Sequence, residues 1–138
     1  MPAPGDIHVV HNERLKALVA YQLTHQDARD GSLAVLTLDW TATALPDPAT
    51  VAAMQPARFN DLQQDDALHH LWVGKQPPRD FQPVGWRAPL IDAAPQKYGS
   101  WPDGAEVARQ RRWDALDAAA VQAFKHATAA PEDRSALL

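Results

Sequence analysis

The chain has no cysteine among its 138 residues, which removes disulfides, thiolate nucleophiles and every cysteine-containing zinc site. That fits a reducing compartment without requiring one. Long apolar runs are missing too: none approaches the roughly 18 residues that cross a bilayer. The opening MPAPGDIHVVHNERLK has no basic region followed by an apolar one, as a secretory signal would. A soluble protein without a membrane span is expected, either cytoplasmic or inside a virion-like assembly. The six glycines never form GxGxxG or a P-loop, so no nucleotide cofactor is implied. Ser32, Ser100 and Ser135 all fall outside any GxSxG, which argues against serine nucleophile chemistry. Excess positive charge is also lacking. The net charge is −4, with residues 1–66 at −5 and residues 67–138 at +1, whereas duplex-DNA binders need a surplus of cations to displace counterions.

What is present fits one globular domain. The composition is 46% hydrophobic and 22% charged, too apolar for a disordered chain and sufficient for a core without staples. Leu15, Leu18, Val19 and Leu23 follow a helical stripe, and Asn12 is a suitable cap, so a helix is expected over 12–26. SLAVLTLDW, residues 32–40, is the clearest strand, with one face apolar throughout and the other emerging to solvent at Asp39. Asp47-Pro48 starts a short helix to about Met54. Residues 57–75 are ambiguous, with a strand favoured running into Gly74 because the strand over 32–40 needs a partner. A short edge strand is expected over Phe81–Trp86. Asp103-Gly-Ala-Glu106 resembles a capping box opening a long helix over 103–129, with Trp113, Leu116, Ala120, Ala123, Phe124 and Ala127 facing the core and a bend near Arg112. The expected fold is α+β: a small mixed or antiparallel sheet packed by an N-terminal and a long C-terminal helix, as one domain over 1–130 with a tail at 131–138.

The most unusual stretch is LWVGKQPPRDFQPVGWRAPLIDAAPQKYGSWP, residues 71–102. It holds half of the twelve prolines and three of the five tryptophans, with Lys75, Arg79, Arg87 and Lys97 between the rings. It is too aromatic to float free and too proline-rich to be regular, so it either wraps its own domain or is offered to a partner. Trp, Tyr and Arg are the residues that dominate protein-interface hot spots, and rings interleaved with cations also suit single-stranded nucleic acid. Arg79, Trp86, Arg87, Tyr98 and Trp101 are therefore the expected partner contacts, with Trp72 buried and Trp86 or Trp101 outside.

Catalytic candidates are sparser. Asp39, with Asp65 or Asp66 opposite and His69 or His70 as proton carrier, would suit a small metal-dependent or acid–base hydrolase. His8 and His11 near Asp6 have a spacing that does not converge on a metal by itself. Arg109, Arg111 and Arg112 form a basic knot that either grips phosphates or an acidic partner, or is a solvated face on which Arg111 pairs with Asp114. The sequence favours a non-catalytic subunit, of the kind found among phage connector components or immunity-type binders, that joins protein partners or copies of itself in a larger assembly. Single-stranded nucleic acid is the lesser alternative. No cofactor or metal is expected.

Overall fold

A computed structural model describes residues 2–60, 66–116 and 122–123. Seven strands and two helices are defined in that part of the chain: β1 (Asp6–Asn12), β2 (Ala17–Gln26), β3 (Leu33–Ala42), α1 (Pro48–Ala53), β4 (Arg58–Phe59), β5 (Ala67–Leu68), β6 (His70–Trp72), β7 (Gln82–Trp86) and α2 (Ala105–Asp114). Five strands form one sheet in the order β6-β3-β2-β1-β7, and β4 and β5 form a separate pair. Every named pairing is antiparallel. The class is α+β, as the alternation of apolar runs suggested.

The helix expected over 12–26 is instead a turn and a strand. Asn12 does cap, but it caps a turn: its Oδ1 accepts the Leu15 amide at 2.9 Å, and Lys16 adopts a left-handed φ of 51° that reverses the chain into β2. The apolar spacing misled because β2 is buried on both faces from Val19 to Thr24. A strand buried on both sides is nearly continuous in hydrophobicity and contains i, i+3, i+4 coincidences by chance.

Alternation in β1–β3 separates two faces. Ile7, Val9, Ala20, Leu36 and Leu38 pack with Val51 and Met54 from the α1 region. Val10, Val19 and Tyr21 pack with Phe81 on the other face, and Leu23, Leu33, Val35 and Val73 continue that layer. α1 forms where expected, with Asp47 Oδ1 accepting the Thr50 amide at 2.7 Å and Pro48 in its first turn. β6 supplies the partner that β3 needed. β7 is the short edge strand, and its pairing with β1 shifts register between Ile7 and His8.

Residues 74–102 circle the sheet. From β6 they pass under one face, where Phe81 stacks on Tyr21 at 5.7 Å between ring centroids, to β7 at the far edge. They return across the opposite face, where Leu90 and Ile91 join the first cluster. Gln22, fully buried, ties this return: its Oε1 accepts the Leu90 amide at 2.9 Å and its Nε2 donates to Arg87 O at 3.1 Å. Back at β6, the Trp72 amide donates to Lys97 O and the Gly99 amide to Trp72 O, both at 2.9 Å, a parallel bridge at Tyr98. Trp101 then meets Phe81 edge-on at 5.4 Å, and the circuit is complete.

α2 also departs from expectation. Gly104 occupies its cap position with a φ of 93° and gives no side-chain cap, while Asp103 Oδ1 accepts the Ala105 amide at 3.1 Å. The reciprocal capping box is not formed. Glu106 and Ala108 are the buried positions, Val107 packs inward, and Leu116, assigned to the core stripe, is 39% exposed. The buried face of α2 is thus its first turn, and the helix ends at Asp114. Ala123 is exposed; Ala120, Phe124, Ala127, the rest of the helix expected to 129 and the tail at 131–138 lie outside the described residues.

Candidate functional site

A cleft of about 720 Å³ opens between β5–β6, the strap at 97–103 and the first turns of α2. Its floor is built by three elements. Tyr21, from the middle of β2, donates its hydroxyl to Glu106 Oε1 at 2.6 Å, with Oε2 at 3.1 Å. His69, just before β6, brings Nδ1 to 2.9 Å from Thr37 Oγ1 on β3 and to 3.8 Å from Glu106 Oε2. That last approach is too long for a hydrogen bond.

Burial sets the charge state of this floor. It pushes the Glu106 carboxyl above its ordinary range, against the opposing pull of the Tyr21 hydroxyl. Burial also lowers His69, helped by the nearby Arg109 and Lys97 charges. Both shifts favour the neutral forms and so oppose ion pairing between His69 and Glu106. Burial and the Glu106 carboxyl together push the Tyr21 phenol upward, which keeps it a donor.

A second polar group lies on the other face. His70 Nε2 is 2.7 Å from Thr24 Oγ1, His25 Nδ1 is 2.9 Å from the same oxygen, and His25 Nε2 is 2.9 Å from Asp92 O. A carbonyl only accepts, so His25 Nε2 carries the proton and its Nδ1 accepts from Thr24. Thr24 then accepts from His70 Nε2–H, a directed chain that fastens the returning strap at Asp92. Burial, followed by the neighbouring His25 and His69, lowers His70 to about 4.

Asp39 is not part of either cluster. Its side chain is exposed, and it borders a different groove of about 250 Å³ with Arg58, Gln110 and Asp114. His69 and His70 project to opposite faces, as neighbours in an extended segment do. The structure therefore does not bring Asp39, His69 and His70 together. Asp65 and His126 lie outside the described residues. His8 is buried with Nδ1 unpartnered, and His11 approaches Glu13 at 3.3 Å. Among the described residues no group of three His, Asp or Glu side chains could hold a metal ion.

The expected partner contacts are dispersed. Arg87 is an internal fastening, donating to Ala52 O and Met54 O at 2.7 Å each, which satisfies carbonyls at the end of α1. Trp101 packs between two core clusters, with its indole N–H buried and unpartnered. Trp72, expected to be buried, is half-buried and donates to Pro95 O at 2.8 Å. Trp86 stays 61% exposed, held by a 2.9 Å bond to Pro4 O against Gly5, where an added Cβ would meet the indole. Tyr98 is 79% exposed and stacks on Trp72. Arg79 is exposed. Because β7 and β6 are the two ends of the sheet, Trp86 and Tyr98 lie at opposite edges.

Sequence reasoning missed Tyr21 and misassigned Glu106. Tyr21 was hidden inside the supposed helix, and Glu106 had a sufficient structural role as a capping acid, so only its unexpected burial marks it. Arg111 of the basic knot bonds Thr41 Oγ1, and Asp114 accepts from Gln110 at 2.8 Å. No protein-family model, curated protein or solved structure matches the chain.

Proposed function

We propose that the protein is a non-catalytic interaction subunit whose partners dock on the two exposed, immobilised rings, Trp86 and Tyr98. One observation supports this reading above the others: of the aromatics in the strap, these two remain 61% and 79% exposed although each is fixed in place, Trp86 by Pro4 O and Tyr98 by Trp72. A rigid exposed ring brings large contact area at small entropic cost, the property of interface hot spots. Their location at opposite sheet edges gives two separate contacts, as assembly of several chains requires.

Native mass spectrometry of the protein from its source tests the reading. Trp86→Ala and Tyr98→Ala, taken singly, should each weaken one association by about 2 kcal/mol or more and leave the circular dichroism spectrum unchanged. A solely monomeric native protein, or complexes indifferent to both substitutions, sinks it.

The Tyr21–Glu106–His69–Thr37 floor favours a second reading, acid–base chemistry in the cleft. A carboxyl and an imidazole shifted in opposite directions and opening to solvent are the groups such chemistry uses. It relocates the hydrolase alternative from Asp39 to Glu106 and His69. Release of product from a panel of simple ester and phosphoester substrates, abolished by His69→Gln, would establish it.

A further inference from the structure

We infer that the cleft above Glu106 and His69 is a binding site for a small molecule carrying a carboxylate or phosphate group. Arg14 from the β1–β2 turn, Lys97 from the strap, and Arg109 and Arg112 from α2 all line it. Arg109 and Arg112 share one face of α2, while Arg14 is remote in sequence and reaches the same concavity through the folding of the β1–β2 turn beside α2 and the strap. The chain as a whole has a net charge of −4, so this concentration of cations opposes its average.

The four cations outnumber the acids in the cleft. Among the described residues the only acids that line it are Asp103 and Glu106. Asp103 accepts from the Ala105 amide, and the oxygens of the buried Glu106 face the Tyr21 hydroxyl, so both acids are engaged from within the fold. Two cations outside the cleft are used internally: Arg87 holds the end of α1 and Arg111 holds Thr41. Arg14, Lys97 and Arg112 have no ion-pair partner among the described residues. Guanidinium forks match the paired oxygens of a carboxylate or phosphate. Below them, Thr37 engages His69 Nδ1, and no described residue bonds Nε2, which is left to meet a ligand.

Size decides between a small ligand and a macromolecule for this site. The volume of about 720 Å³ lies within the range of about 300–1,000 Å³ typical of small-molecule clefts, with a few polar groups converging on the floor. Tyr98, at the mouth, presents a ring face against which the remainder of such a molecule can lie. The inference goes beyond the interaction reading and does not depend on it, since loss of a partner on Tyr98→Ala and loss of anion binding are read separately.

Titration of the full chain at low salt with inorganic phosphate, pyrophosphate, succinate and citrate, followed by calorimetry and by the histidine ring signals in NMR, tests it. Saturable binding that shifts the His69 signals is expected, with the phosphate and carboxylate arms showing which group is preferred. The Arg14→Ala/Arg112→Ala double variant should bind at least about tenfold more weakly, whereas Lys75→Ala, an exposed cation outside the cleft, should bind like the parent. If the double variant fails to fold, Lys97→Ala takes its place. Absence of saturable binding by all four anions, or binding that leaves the His69 signals unmoved, overturns the inference, as does equal weakening by Lys75→Ala.

Discussion

The hairpins β1–β3 and the strap at 74–102 are stabilised in opposite ways. The hairpins are held by long backbone ladders, unbroken between β1 and β2 and interrupted by two register shifts between β2 and β3, so no single side chain is decisive. The strap has almost no ladder beyond β7 and the bridge at Tyr98. It is fixed at discrete points: Phe81 on Tyr21, Gln22 on Leu90, Arg87 on α1, and His25 on Asp92. A laddered region loses stability gradually under substitution, whereas a segment held at a few points loses it in large steps. The cleft depends on the strap, because one wall is Lys97–Asp103.

Removing the main apolar anchor should have the largest effect. Phe81 is 7% exposed and contacts both Tyr21 and Trp101, so Phe81→Ala should cost about 3–4 kcal/mol in urea unfolding. If the strap is an anchored belt, hydrogen exchange in the variant should accelerate far more at the Trp72 and Gly99 amides than at the middle of β2. Uniform acceleration would instead make the strap part of one cooperative unit with the ladder.

The same contrast explains what was legible in the sequence. β3 and α1 were readable because each signal had one meaning: alternation ending at Asp39, and an Asp-Pro cap. The strap was recognised as a wrapping segment from composition, but its route was not readable. Phe81 belongs to one face, Leu90 and Ile91 to the other, and Trp101 to the first again, so its apolar residues follow no period. Prolines obscured it further, by leaving anchors to side chains such as Gln22 that hydrophobicity does not mark. The cleft floor was illegible for a related reason. Tyr21, Thr37, His69 and Glu106 are separated by long stretches of chain, and each has an ordinary role in its own element.

Gln22 gives the next step down. Gln22→Leu preserves volume and the buried position but strands the Leu90 amide and the Arg87 carbonyl, at a cost of about 2–3 kcal/mol. The loss should appear as selective exchange of the Leu90 amide. A variant as stable as the parent, with Leu90 still protected, would show that the strap is held over this face by Leu90 and Ile91 alone.

The smallest expected effect separates strap from ladder by pH. His70 is lowered to about 4 by burial and by His25 and His69, so its contribution is complete above the ordinary histidine value of 6.5 and is lost as pH falls from there to about 4. Allowing for its partial exposure, that contribution is about 1–2 kcal/mol. Glu106 acts in the reverse sense: its raised pKa favours the fold at low pH and weakens it as pH rises through that value. The parent should therefore lose stability on acidification less steeply than Glu106→Gln, and His70→Gln should lose less than either. Because the His70–Thr24–His25 chain fastens the strap to β2 at Asp92, exchange near Asp92 should quicken first as His70 takes up its proton. Parallel pH profiles for the parent and both variants would show that neither group is coupled to folding and that the strap's return is held by its apolar contacts.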